Sequence, residues 1–157
     1  YGETFVIPSP KINENTKYVS GTNGEKMSKS KDNTIDIFLP ENQLKKQVMS
    51  IETDSTPIDQ PKDFKNCNVF KLYSLIADNK SIDKLKQNYQ KGGFGYGHAK
   101  EELLNYILNH FKNEREKFNQ YMNNLEEIDA ALNIGANKAQ IVAQDVLNRV
   151  RQKLGYN

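Results

Sequence analysis

The sequence predicts a mainly helical fold with a short segment of strand-like character at its amino-terminal end. Two observations predict this class. From residue 41 onward, apolar residues recur every three or four positions, which is the period of amphipathic helices. Before Pro40, the apolar stretches are short, over residues 4–7 and 16–19, and are interrupted by prolines and glycines, as strands often are. The change of period at Pro40 predicts two domains, residues 1–39 and residues 40–157.

Apolar stripes define the successive helices. The first helix after Pro40 carries Leu44, Val48 and Ile51 on one face, and two prolines then enforce an irregular connection. The second and third helices carry the stripes Val69, Leu72, Tyr73, Ile76 and Ile82, Leu85, Tyr89. Ser81 is the predicted N-cap of the third helix.

Glycines at positions 92, 93, 95 and 97 follow the third helix. Their spacing matches neither the dinucleotide fingerprint nor the Walker loop, so they predict a helix end and a turn. The next predicted helix carries an apolar stripe from Leu103 to Met122, and a short helix after it ends at Gly135. A final helix covers residues 139–154, and together these elements predict a helical bundle.

Composition narrows the function classes. The 157 residues are 36% hydrophobic and 27% charged with a net charge of +2, so any RNA contact must come from local patches. No apolar run is long enough to span a membrane, and we expect a cytoplasmic protein. The single cysteine, Cys67, excludes an internal disulfide. No cluster of Cys and His has metal-ligand spacing, so no metal site is predicted.

The strongest functional signal is a basic segment near the start of the chain. It reads Lys26, Met27, Ser28, Lys29 and Ser30. Two mobile ammonium groups on a flexible loop suit a polyphosphate, because they stabilise the charge of a departing pyrophosphate once the loop excludes water. Lys26 and Lys29 are therefore the candidate catalytic residues.

Neighbouring residues favour a loop that closes over an anion. Gly21 and Gly24 give the backbone hinge freedom, and Lys31 extends the positive patch. The same composition also fits a solvated linker or a basic localisation tract. The apolar stretches on both sides, residues 18–19 and 35–39, favour a loop within a folded domain.

Residues 26–30 resemble the signature loop of class I aminoacyl-tRNA synthetases. The flanking residues narrow this resemblance to the bacterial tryptophanyl-tRNA synthetases, since residues 21–25 and 32–38 are similar to that family. Further similar stretches follow in the family's order at residues 51–55, 89–97 and 128–139. The resemblance therefore extends over nearly the whole chain.

This resemblance implies the nature of the two domains. Residues 1–39 would be the last piece of a Rossmann-type catalytic domain, and residues 40–157 the helical domain that contacts the anticodon region of tRNA. The family's second, His-containing signature is absent and the chain opens on Tyr1, so we expect a carboxy-terminal portion of a longer protein. We expect this portion to be inactive alone and mostly monomeric, whereas full-length members of the family are homodimers.

The resemblance also implies the chemistry. ATP and tryptophan would form an adenylate with loss of pyrophosphate, and tryptophan would then move to tRNA(Trp), with the tryptophan pocket mostly outside this chain. In the full-length enzyme Mg²⁺ would share the phosphate charge. A strand near Thr16 would lend backbone groups to adenine, and the serines would bind phosphate oxygens or hold the loop's shape. The predicted ATP-binding residues are Thr16, Lys26, Met27, Ser28, Lys29 and Ser30.

The basic end of the final helix leaves two interpretations open. Arg149 and Arg151 are the candidate tRNA-binding residues because they are suited to phosphates, yet cations at this place also complement the helix dipole. Two alternatives remain for the whole chain. One is a non-catalytic helical module that binds RNA, and the other is a different class I synthetase, tyrosyl or methionyl.

Overall fold

The computed structural model describes residues 1–13 and 16–156. More than half of these residues lie in α-helices. The helices are α1 Glu41–Met49, α2 Asn68–Ile76, α3 Asn79–Lys91, α4 Tyr96–His110, α5 Lys112–Met122 and α6 Leu125–Leu154. A short 3-10 turn, Lys29–Lys31, precedes them. The prediction of a mainly helical fold is therefore confirmed.

Helices α1 and α2 form where the sequence predicts, because each presents one apolar face to a partner. α1 begins directly after Pro40 and buries Leu44 and Val48, and Ile51 just beyond its end is also buried. α2 buries three apolar side chains and packs against α3 and α4, while α1 packs against α4. Helix α4 is therefore the element against which both α1 and α2 pack.

An irregular connection joins α1 to α2, as its prolines predict. Lys62 organises this connection from inside, since its buried Nζ donates to the carbonyls of Pro57 at 2.9 Å and Gln60 at 3.2 Å. The same Nζ lies 5.3 Å from the centre of the Tyr96 ring, a cation–π contact. The backbone N–H of Lys62 donates to the carbonyl of Tyr89 at 2.8 Å. One buried cation thus fixes a segment that has no regular structure.

Local chemistry sets both ends of α3. At its start, the Asp78 carboxylate accepts a hydrogen bond from the backbone N–H of Ser81 at 2.9 Å. The N-cap is therefore Asp78, and the prediction of Ser81 is wrong because Ser81 lies within the first turn. At the other end, Gly92 has a φ of +73°, and a Cβ there would lie 2.4 Å from the Asp59 carbonyl oxygen. The predicted helix end and turn at the glycines is confirmed.

The two predicted strands do not form. Residues 4–7 and 16–19 have no ladder, and within the described residues the β-type pairing is an isolated bridge between Ser20 and Lys26. A strand needs a neighbour that takes up its backbone hydrogen bonds. Apolar composition alone predicted these strands, and it says nothing of such a neighbour.

The later helices differ from the prediction at two points. The helix predicted over residues 103–122 is divided, because α4 ends at His110 and α5 begins at Lys112, with Phe111 between them at φ −98° and ψ 19°. Conversely, Gly135 does not end a helix, and α6 continues through it for 30 residues in all. A glycine inside a helix costs only about 1 kcal/mol relative to alanine, which good helix formers on both sides outweigh.

The described residues form two compact units. One unit is Asn13–Glu116, and the other is Tyr1–Ile12 together with the residues from Lys117 onward. The boundary between them falls within α5. The division into domains at residues 39 and 40 rests on the change of period at Pro40 and on the family resemblance, and it stays a prediction.

The hydrophobic core belongs to the Asn13–Glu116 unit. Its buried apolar side chains are Leu44, Val48, Ile51, Cys67, Val69, Leu72, Tyr73, Leu85, Tyr89, Ala99, Leu103, Leu104 and Ile107. Tyr89 is fully buried, with its ring centre 6.0 Å from that of Phe70 and its hydroxyl 3.4 Å from Cys67 Sγ. Burial raises the pKa of the Tyr89 hydroxyl. Cys67 is therefore a packed core residue.

Helices α5 and α6 bury no side chain within the described residues. Many of the apolar side chains of α6 are exposed, including Leu132, Ile141 and Leu147. None of the described helices combines the length and the apolarity that crossing a membrane requires.

Candidate functional site

The candidate phosphate loop begins in a tight hairpin turn. The backbone N–H of Met27 donates to the carbonyl of Val19 at 2.8 Å, and the N–H of Gly21 donates to the carbonyl of Glu25 at 2.7 Å. These two bonds join the chain entering the turn to the chain leaving it. The base of the loop is therefore fixed by backbone hydrogen bonds, and residues 28–31 extend beyond it.

Lys26 and Lys29 are both exposed. Lys26 lies where the hairpin turn closes, and Lys29 is the first residue of the 3-10 turn. Within the described part of the chain neither ammonium group forms a salt bridge. Two uncompensated positive charges on one short loop are the arrangement that binding a phosphate group requires.

The residues between the lysines shape the loop. Met27 is half-buried and packs against the core, so it anchors the middle of the loop. Ser28 is the N-cap residue of the 3-10 turn, and its hydroxyl oxygen lies 2.9 Å from that of Ser30. The serines therefore hydrogen-bond to each other and stabilise the turn that carries Lys29.

Lys31 does not extend the free positive patch, contrary to the prediction. Its Nζ donates to Glu25 Oε2 at 2.8 Å, and both side chains are exposed. Through this hydrogen bond and its charge, Lys31 lowers the pKa of Glu25 and Glu25 raises the pKa of Lys31. This ion pair spans the base of the loop, and the positive charge of Lys31 is paired with the negative charge of Glu25.

A buried amide that the sequence analysis did not single out lies beneath the loop. Asn33 Oδ1 accepts from the backbone N–H of Ser28 at 2.8 Å. Its Nδ2 donates to the Lys26 carbonyl at 3.3 Å and to Asn23 Oδ1 at 2.8 Å. Asparagine side chains often form hydrogen bonds to nearby backbone groups in loops. The position of Asn33 three residues after Ser30 could therefore have indicated this role from the sequence.

Gly21 is not the hinge that the sequence suggested. Its N–H is held by Glu25, and a Cβ at this position would lie 2.4 Å from the Asn33 side chain. A glycine is needed here for close packing and not for flexibility. Gly24, in contrast, has a φ of +78°, the left-handed region that favours glycine.

The chain that leaves the loop is also fixed. Arg115, near the start of α5, donates to the carbonyls of Ile37 and Leu39, the latter at 2.9 Å. Ile35 and Ile37 pack against the core. The loop is therefore held on both sides by the Asn13–Glu116 unit, and its exposed lysines lie between the two anchored segments.

Thr16, predicted to offer backbone groups to adenine from a strand, lies in a turn instead. Its backbone N–H donates to the carbonyl of Asn13 at 3.1 Å. That N–H is therefore already engaged within the turn. The contact between Thr16 and adenine stays a prediction.

Arg149 and Arg151 lie in the last two turns of α6 and are exposed. The helix ends at Gly155, which has a φ of +78° and donates its N–H to the carbonyl of Gln152 at 3.2 Å. An exposed cation at this end satisfies the helix dipole and is also accessible to a phosphate. The assignment of these arginines to tRNA stays a prediction.

The chemistry of the loop fits phosphate better than it fits a metal ion. Within residues 1–13 and 16–156, no group of three or more His, Cys, Asp or Glu side chains could hold a metal. The acidic residues in the loop segment are Glu25, which is paired with Lys31, and Asp32, which ends the 3-10 turn. Mg²⁺ prefers oxygen ligands, so this cationic loop does not fit a bound Mg²⁺.

Comparison with known proteins identifies the class of protein to which this chain belongs. The family model for class I tRNA synthetases of the W and Y type matches residues 1–112. The chain belongs to this family.

Tryptophan–tRNA ligases are among its relatives. The chain is 44% identical over 155 residues to the ligase of Campylobacter jejuni strain RM1221 and 43% identical over 156 residues to that of Fusobacterium nucleatum. Each alignment covers 99% of this chain, but 49% and 48% of the two relatives. The chain thus spans about half the length of the curated relatives it matches.

A solved structure agrees with these relatives. The crystal structure of tryptophanyl-tRNA synthetase from Campylobacter jejuni, complexed with ADP and tryptophan, superposes with a TM-score of 0.85 at 44% identity. The superposition covers 98% of this chain and 48% of that one.

Proposed function

We propose that this chain supplies the pyrophosphate-binding loop and the helical tRNA-binding part of a tryptophan–tRNA ligase. That enzyme would activate tryptophan with ATP and transfer it to tRNA(Trp). The observation that carries the proposal is the pair of exposed, uncompensated ammonium groups of Lys26 and Lys29 on a loop anchored at both ends. The 44% identity to a tryptophan–tRNA ligase supports tryptophan over tyrosine or methionine as the amino acid.

The proposed reaction places negative charge where these lysines can reach it. A carboxylate oxygen of tryptophan attacks the α-phosphorus of ATP, the bond to the bridging oxygen breaks, and pyrophosphate leaves with the electron pair. Lys26 and Lys29 stabilise the charge that accumulates on the leaving group. Because the Lys31 ammonium group is paired with the Glu25 carboxylate, the loop presents two ammonium groups without a salt-bridge partner to the phosphates instead of three.

The other predicted ligands complete the site. The hydroxyls of Ser28 and Ser30 would each donate to a phosphate oxygen, and in doing so they would give up the hydrogen bond between them. Thr16 would contribute its carbonyl to adenine, because its N–H is engaged. Mg²⁺ would be held by the phosphates and by parts of the enzyme other than this loop, so we assign no step to it here.

The remaining assignments concern the full-length protein. We propose that Arg149 and Arg151 contact phosphates of tRNA(Trp), that the tryptophan pocket lies mostly in the half of the relatives that this chain does not cover, and that the enzyme is a cytoplasmic homodimer. The chain alone should be inactive and mostly monomeric. Sedimentation of the isolated chain tests the last point, and a tight dimer would contradict it.

The central test is the Lys29→Ala variant of the full-length enzyme, measured by tryptophan-dependent exchange of pyrophosphate into ATP. Removing one preorganised donor costs about 3 kcal/mol in the transition state, so we expect the exchange rate to fall about 100-fold. Lys45→Ala is the matched control, because Lys45 is an exposed lysine on α1. An unchanged exchange rate in the Lys29 variant would remove the assigned role.

A second candidate is a non-catalytic helical module that binds RNA. The basic last turns of α6 favour it, since Arg151 and Lys153 lie there without an acidic neighbour in the same turn. Replacing Arg149 and Arg151 by Gln separates this activity from the dipole effect. If they bind phosphates, the affinity for tRNA falls and its dependence on salt becomes weaker. If they serve the helix dipole, only the helix stability changes.

A further inference from the structure

We propose that Asn33 is a positioning residue for the phosphate loop, which sets the backbone of Lys26 and Ser28 and so determines where the two ammonium groups can reach. The inference rests on the proposed function of the loop. It adds a residue that acts through the lysines and does not itself touch ATP.

The Asn33 side chain connects the two sides of Met27. Its Oδ1 accepts from the N–H of Ser28 at 2.8 Å, and its Nδ2 donates to the carbonyl of Lys26 at 3.3 Å. A single planar amide thus holds the residue before Met27 and the residue after it in one fixed relation. Because Ser28 is the N-cap residue of the 3-10 turn that begins with Lys29, fixing Ser28 also fixes the start of that turn.

Burial makes this amide an effective anchor. Asn33 is only 2% exposed, and a buried polar group is costly unless its hydrogen bonds are made. Its remaining donor is used by Asn23 Oδ1 at 2.8 Å. Removing the amide would therefore leave the Ser28 N–H and the Lys26 carbonyl without this partner, and the loop would gain freedom that folding had removed.

The backbone of Asn33 ties the anchor to the rest of the unit. Its carbonyl accepts from the N–H of Thr22 at 2.9 Å, and the carbonyl of Thr22 accepts from the N–H of Glu52 at 2.7 Å. Asn68 Nδ2 donates to the Glu52 carbonyl at 3.2 Å, which reaches the first residue of α2. The loop is thus connected by hydrogen bonds to a helix of the core.

The Asn33 side chain can occupy this position only because residue 21 is a glycine and has no Cβ. A Cβ on Gly21 would lie 2.4 Å from Asn33 Cγ and Nδ2, and 2.5 Å from its carbonyl oxygen. Real Cβ atoms do not approach other atoms this closely, so an alanine must displace both the Asn33 side chain and the Asn33 backbone carbonyl that accepts from Thr22. Gly21 has no positive φ, so alanine adds this clash without an unfavourable φ of its own.

Position matters here because the two lysines act on a charge that increases on the leaving pyrophosphate in the transition state. A displacement of about 1 Å in a positioning residue can cost about 100-fold in rate, even when the residue makes no contact with substrate. Loss of the Asn33 anchor should therefore lower kcat for adenylate formation. It should not change KM for tryptophan, whose pocket lies mostly outside this chain in the proposed function.

The first experiment uses two glycines of the full-length enzyme. Gly21→Ala should lower kcat of pyrophosphate exchange about 10- to 100-fold, while KM for tryptophan stays within about twofold. Gly97→Ala is the matched control, because a Cβ on Gly97 would meet nothing within 4 Å. The control should keep the rate of the parent enzyme.

The second experiment removes the amide directly. Asn33→Ala should lower kcat to a similar extent and should speed hydrogen exchange of the Ser28 amide in this chain. Asn105→Ala, an exposed asparagine on α4, is its control. If Asn33→Ala does not fold, as its melting curve would show, Gly21→Ala remains the test because it keeps the amide group and changes its position.

The outcomes separate this inference from the proposed function. If Lys29→Ala is slow but Gly21→Ala and Asn33→Ala keep the parent kcat, the positioning role is overturned and the proposed function stands. If KM for tryptophan rises in step with the fall in kcat, Asn33 serves general structure and the inference is likewise overturned. If Lys29→Ala itself keeps the parent rate, the proposed function fails first.

Discussion

Helices α4 and α6 carry similar patterns and have different surroundings. Both have apolar residues at helical spacing, yet α4 buries Leu103 and Ile107 whereas Leu132 and Ile141 of α6 are exposed. The periodicity of a sequence identifies the apolar face of a helix but does not say what covers that face. The structure of Asn13–Glu116 is therefore supported by its own core, whereas α6 has no buried side chain in the part of the chain that the structure describes, and Lys153 near its end donates to the Tyr1 carbonyl at 2.8 Å.

This difference bears on the proposed function because the candidate phosphate loop belongs to the region with the core. Met27, Ile35 and Ile37 pack against that core, and Arg115 holds the segment that leaves the loop. A loop that must place two charged side chains accurately benefits from such a rigid base. Arg149 and Arg151, in contrast, are exposed on a helix that has no buried side chain among the described residues.

The largest expected effect is the loss of stability when an apolar side chain of α4 is truncated, compared with the same change on α6. Leu103→Ala should lower the free energy of unfolding by about 3 kcal/mol, because Leu103 is 1% exposed and its removal leaves a cavity. Leu132→Ala, the matched change on α6, should alter it by less than about 0.5 kcal/mol because Leu132 is 63% exposed. Urea denaturation of the isolated chain measures both. Equal losses would mean that α6 has a packed face after all.

The next largest effect is a gain in the stability of α6 when its internal glycine is replaced. Gly135→Ala should raise the helix content and stabilise α6 by about 0.5 to 1 kcal/mol, since the added methyl group meets nothing within 4 Å. Thermal melting followed by circular dichroism reports this. A loss of helix would indicate that Gly135 has a close neighbour, and then the exposed environment described for α6 would be wrong.

The smallest effect on stability comes from a single hydrogen bond at the surface of the Asn13–Glu116 unit. The Tyr96 hydroxyl donates to Asp54 Oδ1 at 2.8 Å, and hydrogen bonds from Thr56 and then from Tyr96 lower the pKa of Asp54. Because Asp54 is exposed and solvent screens the bond, Tyr96→Phe should cost only about 0.5 kcal/mol near neutral pH.

The stability lost in Tyr96→Phe should depend on pH, and the lowered pKa of Asp54 sets the direction of that dependence. A carboxyl group with a lowered pKa stabilises the folded state fully above its unfolded pKa, and that contribution disappears as the pH falls through the lowered value. The difference in stability between Tyr96→Phe and the parent chain should therefore shrink in acid. Urea denaturation at a series of pH values measures this, and a difference that grows in acid would contradict the assignment.

Much of the fold follows from local patterns. The faces of α1 and α2, the glycine that ends α3 and the irregular connection before Lys62 were all predictable, because each depends on residues close in sequence. The errors arose where local signals compete. Asp78 is a better N-cap than Ser81 by position, and Gly135 is not a strong enough breaker to end α6.

The candidate site was predictable only in part. The residue types of Lys26 and Lys29 predict a candidate phosphate loop, which stays a prediction, whereas the ion pair of Lys31 depends on Glu25, six residues away across the turn. The role of Asn33 depends on burial and on its close contact with Gly21, and both are tertiary properties. Spacing alone therefore identified the charges but not the groups that hold them in place.

The most direct measurement is a structure of the full-length protein with tryptophan and a non-hydrolysable ATP analogue. We predict that the Nζ atoms of Lys26 and Lys29 lie within about 4 Å of phosphate oxygens while the hydrogen bond from the Ser28 N–H to Asn33 is kept. A complex in which the phosphates are bound elsewhere, with both ammonium groups in solvent, would contradict it.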